Sequence, residues 1–366
     1  MFGGIYKGKK VLVTGHTGFK GSWLTTWLLH LGANVVGISK DIPTNPSMFE
    51  ELDLVKKIKH YQEDIRDLIK MIEVISNEKP DFLFHLAAQP IVSTSYSEPI
   101  ETISSNVMGT ANILEALKIS NHMCTVIMIT SDKAYDNVEQ VWGYKEDDKM
   151  GGKDIYSGSK GAAELIIKSY YHSFLKANDS NIKLAIGRAG NVIGGGDWAK
   201  DRIVVDCMEA WSKKESVEIR SPNATRPWQH VLEPLSGYLN LGQILYVDNN
   251  LDGEAFNFGP RAEQNHTVEQ LLGDLSAYWH FNDASEAFSV TDNIPFHEAG
   301  LLKLNCDKAL FYLKWQANLA YSETIKFTSE WYYYFYKNNQ NIFDKTVEQI
   351  TTYETMAIEK ELKWTE

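Results

Sequence analysis

The apolar run Val11-Leu12-Val13 leads through Thr14 straight into Gly15-His16-Thr17-Gly18-Phe19-Lys20-Gly21. This junction restricts the fold more than any other segment. A buried strand must end where glycine gives the backbone extra freedom. A helix must then start close enough to pack on that strand. The spacing predicts a strand over Lys10–Thr14, a turn with glycines at 15, 18 and 21, and a helix through Trp23, Trp27 and Leu31. A turn of this kind lets the backbone approach a pyrophosphate and points a helix N-terminus at it. Gly15, Thr17, Gly18, Phe19 and Gly21 are therefore candidate contacts for a dinucleotide.

The same strand–helix rhythm continues down the chain. Strands are expected over 34–38, 81–86, 124–130 and 183–187, with helices over 104–119 and 156–176. Alternation of this kind implies a doubly wound parallel sheet of the Rossmann type, an α/β fold. Residues 41–47 contain two prolines and read as an irregular loop over the edge of a site. After Gly190 the rhythm breaks at Gly194-Gly195-Gly196, and the elements become short and mixed. The expected organisation is a dinucleotide domain over 1–190 and, over 191–366, a smaller interleaved substrate lobe with a helical C-terminal extension. The run Trp331-Tyr332-Tyr333-Tyr334-Phe335-Tyr336 reads as core or subunit contact rather than ligand site.

With 43% hydrophobic residues and a net charge of -12, the chain lacks the basic excess that nucleic acid requires. It has no run of about 18 apolar residues to span a membrane, and a cytoplasmic location is expected. Cys124, Cys207 and Cys306 have neither metal spacing nor a disulfide pattern. His230 and His266 lack ligand-spaced partners, so no metal is expected.

Tyr156 and Lys160 are four residues apart and share one helical face. The Lys160 ammonium is expected to stabilise the phenolate, lowering the Tyr156 pKa until it can take a sugar hydroxyl proton near neutral pH. Upstream, Thr130-Ser131-Asp132-Lys133 closes an apolar strand; alone, Asp132 and Lys133 would read as a salt-bridged pair. The second strand ends in Ile38-Ser39-Lys40-Asp41, where an acidic residue for NAD ribose or a cation for a 2′-phosphate would stand. Lys40 could meet that phosphate or be solvated, and the absence of arginine beside it favours NAD. Asp64 and Ile65 could bracket the adenine, and Asp64 could equally be a surface carboxylate.

Gly15…Gly18…Gly21, His85-Leu86-Ala87-Ala88-Gln89, Asn106 and Tyr156…Lys160 together resemble the extended short-chain dehydrogenase/reductase family, over most of the chain to about Phe258. Within it, Ser131-Asp132-Lys133, Trp142-Gly143-Tyr144, Gly194-Gly195-Gly196-Asp197-Trp198 and Arg226-Pro227-Trp228-Gln229-His230 are similar to the 4,6-dehydratases that act on CDP-glucose. The resemblance implies a bound NAD, a small-molecule nucleotide sugar (CDP-glucose) as substrate, and a lyase reaction. In it Tyr156 and Lys160 assist C4 oxidation, Asp132 is the acid, Lys133 the base, and Ser131 relays the proton. It further implies cofactor contacts from Leu86, Ala87 and Ala88, with Asn106 tying a helix to the strands. Arg226 would take the substrate pyrophosphate, with Arg202 and Asn191 as second choices. A homodimer or homotetramer is implied through helices carrying Ile113, Leu117, Leu165 and Ile166. An epimerase, a dehydratase on another nucleotide sugar, and a non-catalytic dinucleotide-sensing protein remain the alternatives.

Overall fold

Seven short strands hydrogen-bond into one parallel sheet. β1 (Lys10–Thr14) and β4 (Phe82–His85) lie at its centre. β2 (Asn34–Ser39) and β3 (Lys59–Gln62) extend one side. β5 (Cys124–Ser131), β6 (Ile182–Ala189) and a last strand, Ala255–Phe258, extend the other. The order reverses between β1 and β4, the switch point outside which such sheets bind ligands. The computed structural model describes residues 1–176, 180–219, 221–261, 263–281, 283–291, 301–338 and 341–366.

Side chains alternate across a strand, so each strand feeds two apolar layers. Val11, Val13, Phe82, Phe84 and Ile127 face helix α1 (Phe19–His30) and the helix Leu232–Val247. Leu12, Leu83, Val126, Met128 and Leu184 face Met71, Val74, Ile113, Leu117 and Ile167 on the helices Leu68–Glu78, Gly109–Ser120 and Ile155–Tyr170. A sheet covered on both faces needs continuous apolar strands, which is why β1, β4 and β5 were legible from sequence.

α1 is buried nearly all round, including Thr25 and Thr26. Its outer face is covered by the C-terminal helix Ile342–Glu359, against which the helix Tyr321–Asn338 packs in turn. Trp27 Nε1 donates to Glu354 Oε1 at 2.8 Å. Trp331 and Tyr332, from the aromatic run, are fully buried, and a side chain on Gly195 would collide with the Trp331 ring. That run is core beneath the glycine-rich turn.

Some expectations are corrected. The helix placed over 104–119 starts at Pro99 and passes through a π-helical turn, Ser104–Met108, before Gly109–Ser120. The helix placed over 156–176 also ends in a π turn, Tyr171–Leu175. Ile113 and Leu117 pack into the chain's own core and present no outer face. Ile100, Met108 and Leu165 are among the exposed apolar residues of these helices. Two sheet strands had no clear apolar signal. Lys59–Gln62 is a polar edge strand, and Ala255–Phe258 returns from the mixed region to extend the sheet.

Behind the ends of β5 and β6 lies a fully buried ion pair. The Arg188 guanidinium donates from Nε to Glu164 Oε1 at 2.8 Å and from Nη2 to Glu164 Oε2 at 3.0 Å. Arg188 Nη1 also donates to the Tyr135 hydroxyl and the Glu146 carbonyl, and Thr130 Oγ1 donates to Glu164. Removing one partner would leave a buried charge without its counterion. Arg188→Met is expected to lower unfolding stability by about 3–5 kcal/mol, read by urea denaturation. A loss below about 1 kcal/mol would show that the pair carries little of the fold's stability.

Candidate active site

The glycine loop is shaped by packing at two of its three glycines. Gly15 has φ +74°, and a Cβ on it would lie 2.8 Å from Ala87 N. A Cβ on Gly21 would lie 2.1 Å from Gly15 O, so only glycine lets α1 start this close to the loop. Gly18 differs: a Cβ there would make only an ordinary 3.4 Å contact. Gly18 is the N-cap of α1 and supplies no side-chain cap. The fold therefore does not require glycine at 18, whereas a pyrophosphate lying against the helix N-terminus does. The donor set fits a dinucleotide.

Around this turn the other expected cofactor residues fall into place unevenly. Thr17 Oγ1 donates to Asp41 O at 2.7 Å, tying the loop to the end of β2. Phe19 packs near Gly194. Leu86 and Ala87 lie at the exit of β4, with Ala87 N donating to Thr14 Oγ1 at 3.2 Å. Asn106, inside the π turn, accepts from Gln89 N at 2.7 Å and donates to Ser159 Oγ at 2.9 Å. It thus joins the segment after Ala88 to the helix of Tyr156. Asp64 is engaged by Arg66, whose Nε lies 3.0 Å from both carboxylate oxygens. Ile65 is buried under Gly109.

The reacting groups meet where β5 ends and the helix Ile155–Tyr170 begins. Asp154 caps that helix, accepting from Ser157 N at 2.9 Å, and so fixes Tyr156 in its first turn. Ser131 Oγ donates to Asp132 Oδ1 at 2.9 Å and accepts from Lys133 N at 3.2 Å, and Ser131 lies near enough to Tyr156 to pull its pKa down against burial. Asp132 is buried opposite Gly190, where a Cβ would lie 3.0 Å from its Oδ2. Lys133 is half-buried beside it.

Burial dominates the charges here. It raises the Asp132 carboxyl above its ordinary value, favouring the protonated form. It lowers Lys160 to about 8. It also raises Tyr156 to about 12, with Asp132 adding to the rise. The expected lowering of Tyr156 is thus reversed in the protein alone. Lys160 Nζ lies 5.9 Å from the Tyr156 ring centroid, and its charge does not outweigh desolvation and a neighbouring carboxyl.

Lys20 is a residue that the sequence reading passed over. It sits in the glycine loop with its ammonium 6.0 Å from the Tyr238 ring centroid. Burial first, then Arg202, lowers it to about 8, while Asp132 opposes the shift. A basic residue between Phe19 and Gly21 was the available signal. Gln229 was also missed. It lines a small cavity with Asp132, Gly190, Pro227, Leu302 and Leu304. Its Nε2 donates to Phe258 O, and its buried Oε1 has no partner among the described residues. Arg202 Nε lies 3.3 Å from Asp197 Oδ2 and acts electrostatically on both Lys20 and Tyr156. Asn191 follows Gly190, half-buried. Arg226 stands in a two-residue ladder opposite His266, next to Pro227 of the cavity. His230 is a neutral core residue lowered to about 3 by burial, and His266 stacks on Tyr321 at 3.5 Å. No cluster of three metal-ligating residues occurs among the described residues, and no described helix is long and apolar enough to cross a membrane.

Comparison with known proteins agrees with this geometry. A CDP-glucose 4,6-dehydratase of Salmonella typhimurium is 48% identical over 90% of this chain and 91% of its own length. A CDP-paratose 2-epimerase of Salmonella typhi is 27% identical over 74% of this chain and 84% of its own. Among solved structures, a UDP-glucose 4-epimerase of Thermotoga maritima with UDP-glucose aligns with TM-score 0.74 at 22% identity, covering 90% of this chain and all of the other. A dTDP-glucose 4,6-dehydratase of Streptomyces venezuelae with NAD bound aligns with TM-score 0.74 at 18% identity, covering 88% and 96% of the two chains. At that identity the structures speak to fold alone. The model of the family described as GDP-mannose 4,6 dehydratase matches residues 12–328, and the chain belongs to that family within the extended short-chain dehydrogenases/reductases.

Proposed function

We propose that this chain is an NAD-dependent hydro-lyase that converts CDP-glucose to CDP-4-dehydro-6-deoxyglucose and water. The observation that carries the reading is the pairing of Ser131 and a buried Asp132 with Tyr156 at one strand end, in a chain 48% identical to a CDP-glucose 4,6-dehydratase. An epimerase needs Tyr156 and Lys160 but has no use for an acid and a base beyond them.

The chemistry that NAD supplies, when bound, is reversible hydride storage beside a positive ring. Gly15, Thr17, Gly18, Phe19 and Gly21 would hold it with Leu86, Ala87 and Ala88. Tyr156 takes the 4-hydroxyl proton through Ser131, and Lys160 stabilises the phenolate. A 4-ketone acidifies the C5 proton, which Lys133 removes. Asp132, whose protonated form burial favours, delivers its proton to the C6 hydroxyl so that water leaves. Arg226 is proposed for the pyrophosphate, by charge-assisted bonds, with Arg202 and Asn191 beside it. Residues 191–366 are proposed to supply most of the sugar-nucleotide lobe. We further place the protein in the cytoplasm as a homo-oligomer, with the exposed Ile100, Met108 and Leu165 at the contact.

Offered a panel of nucleotide-glucoses, the protein should form a 4-keto product from CDP-glucose with no net NADH. Stoichiometric NADH accumulation would point to an ordinary dehydrogenase instead. Lys133→Met and Asp132→Asn should cut turnover about 100- to 10,000-fold while still building an NADH absorbance that is not discharged. Tyr156→Phe should build none. Near wild-type turnover in the Lys133 and Asp132 variants would remove the dehydratase assignment.

The pH dependence follows from Lys160. Its folded pKa is about 8, so the ammonium that stabilises the phenolate is present below that pH and lost above it. The rate is expected to fall as pH rises past about 8. A rate that climbs steadily to strongly alkaline pH would contradict the role given to Lys160.

A further inference from the structure

The ends of β1, β2 and β3 meet at the position where a dinucleotide fold reads the adenosine ribose, about 20 residues beyond the glycine loop. Thr17 is tied there to Asp41, and Gln62 Nε2 donates to Lys40 O at 3.4 Å. Two cations stand at this corner, Lys40 and Arg66. Either has the chemistry to hold the extra 2′-phosphate that distinguishes NADP from NAD.

Neither cation is free. Lys40 Nζ lies 3.1 Å from Glu101 Oε1 and 3.9 Å from Asp41 Oδ2. Arg66 forks onto Asp64, with Nη2 2.6 Å from Oδ2, and its Nη1 donates to the other oxygen of Glu101. Glu101 therefore bridges the two cations with one oxygen each. Burial pushes its carboxyl up, but Lys40 and Arg66 more than offset this and hold it below its ordinary value. It comes from the short helix Pro99–Ile103, far in sequence from both partners. Its 30% side-chain exposure leaves it reachable by a ligand. Two cations against three carboxylates give this corner a net negative charge, which a dianionic 2′-phosphate would meet on entry.

We propose that Glu101 is the residue that sets cofactor choice, by occupying Lys40 and Arg66 so that the ribose corner accepts a hydroxyl and rejects a 2′-phosphate. The inference rests on the dinucleotide reading of the glycine loop and goes beyond it. The presence of Lys40 alone argues for NADP; its engagement by Glu101 argues against it.

The test uses binding rather than turnover. The full-length chain, freed of bound dinucleotide, is titrated with NADH and with NADPH, following tryptophan quenching. The wild type should bind NADH more tightly by at least about tenfold. Glu101→Gln keeps the shape and removes the charge that holds the cations. It should tighten NADPH by about tenfold or more and change NADH by less than about threefold. Adding Lys40→Met to Glu101→Gln should abolish most of that gain. The proposal is overturned if Glu101→Gln leaves the NADPH-to-NADH ratio unchanged, or if the wild type already binds both equally. If the wild type binds neither, the dinucleotide site itself is wrong, and the inference falls with it.

Discussion

The site depends on one buried interaction, the fork between Arg188 and Glu164. Glu164 lies one helical turn beyond Lys160 and two beyond Tyr156, and Arg188 stands on β6. The same pair takes in Thr130, the residue before Ser131, and Tyr135, just past Lys133. A planar guanidinium accepts little angular error. The fork therefore fixes the helix that carries the phenol and ammonium against the strand end that carries the acid and base. An apolar pair of the same volume could hold the fold as well, but it would not set that orientation.

Electrostatically, the cleft is unlike the rest of a strongly acidic chain. Lys133 and Lys20 act on a buried carboxyl at Asp132, and Arg202 and Lys160 act in turn on Lys20. Burial lowers both lysines, the Arg202 and Lys160 charges lower Lys20 further, and burial raises the aspartic acid. Each shift moves the group toward its neutral form. A site poised in this way favours ligands bearing a fixed negative charge, such as a nucleoside diphosphate, and lets proton transfers occur between groups of closer acidity.

How much was legible in the sequence follows from where each signal lies. β1, β4 and β5 were readable because a sheet covered on both faces demands unbroken apolar runs. The glycine loop was readable because its three glycines recur between an apolar strand and a helix, although the contact that demands glycine at 15 comes from Ala87, far along the chain. β3 was not, since Lys59, His60 and Gln62 sit at a polar sheet edge. Neither were the π turn at Ser104–Met108 and the return of Ala255–Phe258 to the sheet, both settled by tertiary packing. In the site, the run Ser131-Asp132-Lys133 and the spacing of Tyr156 and Lys160 were local and visible. The upward shift of Tyr156, the burial of Lys20 and the unpartnered Gln229 oxygen depend on groups dozens of residues away. No local spacing encodes them.

The central claim is that one hydride leaves C4 and returns to C6 of the same sugar while Asp132 and Lys133 remove water between the two events. It is tested most directly with CDP-glucose carrying deuterium at C4. The account predicts a 4-keto product with the deuterium at C6. Deuterium retained at C4 in an epimerised sugar, or left on released cofactor, would contradict it.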